Sequence, residues 1–326
     1  MRGPLERRLA RAWFRPEPPA WPVRVLARGL APLLRRRGRR PQARPPVPVV
    51  VVGNLVVGGT GKTPVVAALA EALGEAGRRV GIVSRGYGGI EPTRPMIVDD
   101  ATPASACGDE PRELRLRTGC PVFVCARRDR ALEAAVAAGC DAVLSDDGLQ
   151  HRALPRSLEL CLFDGRRGLG NGEVLPAGPL RQPMDRLDEV DHVLVRAPRE
   201  AEGLPEDARE FRLRAEGLRR FAGEGGQGVP EPPSVVDAVA GIARPESFFE
   251  TLSSLGFGLR RHPLPDHAPI PDALLRGLAG PVVVTAKDAA RLDGPQREDL
   301  YVLDVRAELP AEVRSRVVDH VLQFGR

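Results

Sequence analysis

The pattern of apolar and polar positions changes character at about residue 46. Before it, apolar residues recur at helical spacing. At 100° per residue Leu5, Leu9, Ala12 and Trp13 share one face, with Arg7, Arg8 and Arg11 on the other. The arrangement returns over 23–35, where Val23, Leu26, Leu30, Leu33 and Leu34 form a stripe opposite Arg24, Arg28 and Arg35. Residues 35–44 read as a basic linker. After it, short apolar runs predict strands at 47–53, 79–86, 121–126, 141–148, 158–165 and 191–197, with helices over 63–73 and 129–138. Such interleaving implies an α/β fold, a mostly parallel sheet with helices on both faces. A stretch rich in Glu, Gly and Pro from about 198 to 234 reads as a junction. Beyond it, apolar segments at 235–242, 282–288 and 301–305 and a helix over 245–255 predict a smaller C-terminal α/β domain.

Composition narrows the class. With 42% apolar and 28% charged residues the 326-residue chain reads as soluble and globular, and no run approaches the roughly 18 apolar residues of a spanning helix. Five cysteines, odd in number and without a Cys-x-x-Cys pair, suit reduced thiols in a cytosolic protein and neither a disulfide framework nor a zinc site. The net charge of +5 is uneven: residues 1–44 hold thirteen Arg against two Glu, which leaves the other 282 residues at −6. Arg24 and Arg28 interrupt any signal-peptide core, and the absence of Ser argues against a transit peptide. The arm can therefore pack on its own domain or lie on an anionic membrane surface. Only 4% of residues are aromatic, so no stacking platform for nucleic acid is expected. Of 48 basic residues only Lys62 and Lys287 are lysine, which marks both as places that need a compact ammonium.

The sharpest chemistry lies in Gly58-Gly59-Thr60-Gly61-Lys62-Thr63, between an apolar strand and a helix. That is the context of a P-loop, whose N–H groups cradle phosphate oxygens. Lys62 is expected at the β- and γ-phosphates of ATP, and the Thr63 hydroxyl at Mg²⁺. One departure is visible: Val56 stands where the usual pattern has its first Gly. The strand at 141–148 delivers Asp146 and Asp147 to its carboxyl end, where a carboxylate can hold Mg²⁺ directly or through water. No Asn/Thr-Lys-x-Asp guanine reader is present, which favours ATP over GTP. Phosphoryl transfer to a hydroxyl also needs a proton acceptor. Asp109 in CGDEPREL and His267 in LPDHAPI are the candidates, and together they would put the reaction between the two units; His151 is a further candidate. A lone Asp before a helix is most often an N-cap.

These segments resemble one family. GNLVVGGTGKTP, SRGYGG, GDEP, SDDGLQH, GNGEVLPAGPLRQP, AGIARPESFFETL, LPDH and TAKDAARL, in order from about 47 to 292, look like the tetraacyldisaccharide 4'-kinases, the lipid A 4'-kinases of Gram-negative bacteria. The resemblance implies transfer of the ATP γ-phosphate to the 4'-hydroxyl of a tetraacylated glucosamine disaccharide 1-phosphate. It implies Asp109 and His267 acting together on the hydroxyl, Lys62 at the phosphates, and Asp146 and Asp147 with Thr63 at Mg²⁺. It also implies a peripheral enzyme, expected to be monomeric, on the cytoplasmic face of the inner membrane. The expected organisation is an amphipathic membrane-associating arm (1–44), a P-loop kinase domain (45–205) and a C-terminal domain closing over the site (206–326). Two positions depart from the family pattern: Gln182, where a Glu near the metal is common, and Ala286 in TAKD, where TEKD is commoner. From the residues alone, a P-loop kinase or ligase of a soluble metabolite and an ATPase switch remain alternatives. Arg85, Arg127, Arg128 and Arg181 are open as contacts to the substrate's 1-phosphate.

Overall fold

The computed structural model describes residues 12–14, 20–37, 43–221, 228–294 and 297–325. Most of the first amphipathic piece and the middle of the basic linker therefore lie outside the described residues. In chain order the elements are α1 (Trp21–Arg37), β1 (Val49–Gly53), α2 (Lys62–Glu75), β2 (Val80–Ser84), β3 (Met96–Val98), α3 (Ala104–Cys107), α4 (Asp109–Thr118), β4 (Val122–Val124), α5 (Arg128–Ala137), β5 (Ala142–Asp146), β6 (Leu158–Asp164), β7 (His192–Arg196), β8 (Arg209–Arg220), β9 (Val235–Ala240), α6 (Pro245–Ser254), β10 (Gly258–Pro263), α7 (Asp272–Gly277), β11 (Val282–Thr285), α8 (Ala286–Ala289), β12 (Leu300–Glu308) and α9 (Ala311–Gln323).

Among the described residues, twelve strands join one sheet in the order β10-β9-β11-β12-β8-β7-β6-β1-β5-β2-β4-β3, parallel except at β12/β8 and β3/β4. The central strands are buried along their whole length, which fits their unbroken valine and leucine runs. Their two faces feed separate clusters. Val50, Val52, Leu144 and Leu160 pack with α2 on one side, and Val49, Val51, Val143 and Cys161 pack on the other.

β8 corrects the reading of 198–234 as a junction. It pairs with β7 through 209–211 and with β12 through 212–220, so one strand stitches the two halves of the sheet together. Its sequence, REFRLRAEGLRR, does alternate as far as Glu216, with Phe211 buried, but arginines at the outward positions hide the apolar period. The final helix also returns to the first half: Val313, Val317 and Val321, spaced by four, share the cluster that holds α2.

α1 presents a second difference. Ala27 is fully buried and Val23, Ala31 and Leu34 pack beside it, whereas Leu26 and Leu33 are exposed together with Trp21 and Val25. The helix thus has two apolar faces, and the one that packs is lined by the smaller residues. Pairing of Arg24 with Glu173 at 2.9 Å, and a hydrogen bond from Trp13 Nε1 to Pro176 O at 3.0 Å, tie the arm to the loop after β6. Among the described residues no helix is long and apolar enough to cross a membrane.

Candidate active site

The phosphate loop follows β1 directly. Gly61 sits at φ 91° as the residue before α2, a left-handed position that an L side chain adopts only with strain. Asn54, fully buried, donates to the carbonyls of Val56 (2.6 Å) and Gly58 (3.2 Å) and so shapes the turn from inside. The departure at position 56 has a structural reason. Val56 bridges Leu180, Val57 N donates to Pro179 O at 2.9 Å, and Arg181 N to Leu55 O at 2.6 Å. The loop's first half is therefore extended and paired with the LPAGPLR segment, so that position needs no glycine.

Lys62 opens α2, with Nζ 3.7 Å from Asp147 Oδ1. Asp147, just past β5, has φ 51°, and Arg181 Nη1 donates to both of its oxygens at 2.8 Å. Burial works against its charge, but Lys62 and Arg181 outweigh it and hold the carboxyl well below the usual range. Asp146 is the opposite case. It is 1% exposed, its Oδ1 has no hydrogen-bond partner, and burial followed by the charge of Glu110 pushes it up to about 7. An orphaned carboxylate oxygen at a strand end beside the P-loop lysine fits a divalent cation. Among the described residues no cluster of three or more His, Cys, Asp or Glu forms a ready-made cage. Mg²⁺ held through one or two carboxylates, a hydroxyl and phosphates requires none.

Gln182 is 1% exposed; it accepts from Gln150 Nε2 at 3.3 Å and donates to Leu34 O at 3.4 Å. Its amide joins the end of α1 to the loop after Asp147, a role that uses a donor and an acceptor at once. Gln150 also donates to Asn54 O at 2.8 Å, so both phosphate-site loops are tied together. Below them lies a buried ion cluster. Glu159 binds Arg186 through both oxygens at 2.6 Å and Arg156 at 2.9 Å, and Arg156 donates to the carbonyls of Leu149, His151 and Leu154.

The expected base and its partner do meet, although 158 residues apart: His267 Nδ1 lies 2.9 Å from Asp109 Oδ2. Asp109 is the first residue of α4. Gly108 takes the preceding position at φ 93°, where a Cβ would fall 2.6 Å from Tyr87 O, so the SRGYGG turn and the GDEP turn fit against each other only because both are glycine-rich. Arg291 Nε donates to the same Asp109 oxygen at 2.7 Å. Burial opposes the Asp109 charge, and the His267 hydrogen bond together with Arg291 overcomes it, leaving the carboxyl lowered.

The TAKDAARL segment is the scaffold for this pair. Thr285 Oγ1 accepts from Asp288 N at 3.1 Å and caps α8. Buried Asp288 accepts from Gly241 N at 3.1 Å and from Arg291 Nη1 at 2.9 Å. Lys287 is half-buried, its Nζ 3.4 Å from His267 Nε2 and 3.6 Å from Glu110 Oε1. Glu110 also raises Asp146, and α4 packs against both α2 and α8, so the Asp109–His267 pair and the phosphate loop sit on neighbouring elements. Asp164, at the end of β6, pairs with Arg196 and at 2.9 Å with Arg244, which links the segment after β9 to the same sheet edge.

The other expected residues divide. Arg128 and Arg181 both converge on Asp147, the former through its carbonyl, whereas Arg85 and Arg127 pair with Glu91 and Asp129 at the surface. His151 accepts from Arg128 N at 3.4 Å; burial and the Arg128 charge push it down to about 4, so it is neutral and structural in this setting. Arg291 was not singled out by sequence reasoning. The signal that could have found it is its place in TAKDAARL, one of the segments that carry the family resemblance.

Comparison with known proteins decides the family. The family model for Tetraacyldisaccharide-1-P 4'-kinase (LpxK) matches residues 19–322. The chain belongs to this family. It is 48% identical over 320 residues to the tetraacyldisaccharide 4'-kinase of Alkalilimnicola ehrlichii, covering 94% of both chains. To that of Pseudomonas paraeruginosa it is 42% identical, covering 92% of each. Among solved structures, LpxK from Aquifex aeolicus in complex with ATP matches with a TM-score of 0.74 at 26% identity, over 92% of this chain and 97% of that one. The P-loop-type, mostly parallel sheet expected from the sequence is thus the fold of this 4'-kinase family.

Proposed function

We propose that the protein transfers the γ-phosphate of Mg²⁺-bound ATP to the 4'-hydroxyl of tetraacyldisaccharide 1-phosphate, giving lipid IVA. The observation that carries the acid–base half of this reading is the Asp109–His267 contact, assembled from α4 and the loop after β10 beside the phosphate loop. Two donors converge on Asp109 Oδ2, whereas Oδ1 takes no hydrogen bond from the described residues and is free to meet a hydroxyl. As the sugar oxygen bonds to the γ-phosphorus, the bond to the β-phosphate oxygen breaks, ADP leaves, and the hydroxyl proton passes to Asp109 Oδ1. Backbone N–H groups of 58–63 and Lys62 orient the phosphates. Thr63, Asp146 and Asp147 would hold Mg²⁺, which would supply charge neutralisation across the phosphates.

The second apolar face of α1 supports a peripheral position on a bilayer, at the cytoplasmic face of the inner membrane. Trp21, Val25, Leu26 and Leu33 face outward there, and thirteen arginines precede residue 45. The same reading takes 1–44 as the membrane arm, 45–205 as the kinase unit and 206–326 as the unit that closes over it, in a monomer. Product analysis tests the reaction: the new phosphate should sit on the 4' carbon, and an acceptor lacking the 4'-hydroxyl should take no label. Label on any other position would refute the assignment.

A further inference from the structure

Lysine is almost absent from this chain, yet Lys287 survives at the edge of the acid–base pair. Its Nζ stands 3.4 Å from His267 Nε2, and its side chain is 22% exposed. An ammonium has three donors and no acceptor, so Nε2 can hydrogen-bond to it only as the accepting nitrogen. That leaves the ring proton on Nδ1, which lies 2.9 Å from Asp109 Oδ2. The tautomer is therefore set from both sides of the ring. A guanidinium is larger and planar, which explains why arginine has not replaced lysine here. The groups around the pair are Arg291 on Asp109, Asp266 at 3.8 Å from Nε2, Glu110 on Lys287, Glu113 one turn along α4, and the edge-on Tyr87 ring.

Building on the acid–base reading above, we propose that Lys287 is a positioning residue for phosphoryl transfer: it holds His267 in the Nδ1–H form, so that Asp109 presents Oδ1 to the acceptor hydroxyl. Lys287 donates no proton to the product in this scheme. The balance is unchanged, with the hydroxyl proton on Asp109 and the phosphoryl group on the sugar oxygen. With the ammonium gone, Nε2 is free to carry the ring proton, and the Asp109–His267 hydrogen bond then loses its donor.

The test uses full-length protein with ¹⁵N-labelled histidine, as wild type, Lys287→Met and Lys287→Arg. In wild type the His267 nitrogens should report Nδ1 protonated and Nε2 bare, and Lys287→Met should populate the Nε2–H form. Turnover of Lys287→Met should fall by roughly 10- to 100-fold, within the range of general-base contributions, with the KM for ATP unchanged and no rescue in Lys287→Arg. Because Lys287 is among the charges that keep Asp109 low, the acid limb of the kcat–pH profile should also move to higher pH. A purely structural role would lower the melting temperature and scale the profile without moving it. An unchanged tautomer, or full turnover in Lys287→Met, would overturn the proposal. Asp109→Ala serves as the control that separates the two ideas: full activity there would sink the acid–base reading itself, whereas its loss beside an active Lys287→Met would sink only the role of Lys287.

Discussion

Replacing Glu113 with Gln should change how stability depends on pH, by an amount the structure supplies. Glu113 lies in α4 and is 8% exposed; burial pushes its carboxyl up to about 7 from an ordinary 4.5, against the pull of Arg117, Lys287 and Arg291. In the unfolded chain it ionises near 4.5, while the folded protein keeps the proton up to about 7. The folded state thus holds one proton more across that interval, and its stability falls as pH rises through it. A difference of about 2.5 pKa units at 1.36 kcal/mol each amounts to roughly 3 kcal/mol. Below pH 4.5 the contribution is complete, and above about 7 it is gone. Glu113→Gln ionises in neither state, so relative to wild type it should gain about 3 kcal/mol between pH 4.5 and 8. Urea denaturation of both proteins across that range measures it, and taking the difference removes Asp146, which is common to both. Parallel stability curves would refute the reasoning. The same protonation matters to the site, because a neutral Glu113 leaves Lys287 and Arg291 to Asp109.

Other consequences follow from single side chains. Lys62→Ala should abolish phosphate transfer, measured as loss of label in product, since no other ammonium stands at the loop; near-normal turnover would exclude the P-loop assignment. Glu159→Gln should destabilise the fold by about 3–5 kcal/mol in urea titrations, because it leaves Arg156 and Arg186 buried without their carboxylate. Replacing Leu26 and Leu33 by Ser should weaken partitioning onto anionic vesicles while leaving the melting temperature unchanged, because both side chains are exposed; unchanged partitioning would return α1 to a packing role. Asp109→Ala and His267→Ala should combine far from additively in kcat, because the two act through one contact.

Local chemistry was legible in the residues themselves, and the meeting of Asp109 with His267 was legible only through the family resemblance. The phosphate loop, the strand end at Asp146–Asp147 and the alternation of strands and helices are each written in short contiguous segments. Asp109 and His267 were nameable as candidates, yet only the packing of α4 against α8 brings their neighbours together. Arg291 stood inside the TAKDAARL segment but, among 46 arginines, did not stand out as a side chain, whereas Lys287 did through its rarity. β8 escaped notice because its outward positions are charged and because an irregularity at Glu216 breaks its period of two. A helical wheel of α1 puts Val23, Leu26, Leu30, Leu33 and Leu34 in one stripe; the structure buries only its side next to Ala27 and Ala31 and leaves Leu26 and Leu33 exposed.

The most direct measurement is transfer of γ-labelled phosphate from Mg·ATP to purified tetraacyldisaccharide 1-phosphate, run with a no-acceptor control and with Asp109→Ala. Label should appear in the lipid with wild type, stay in ATP without acceptor, and be lost from the lipid in the variant. Label released only as free phosphate, with or without acceptor, would contradict the account and mark the protein as an ATPase.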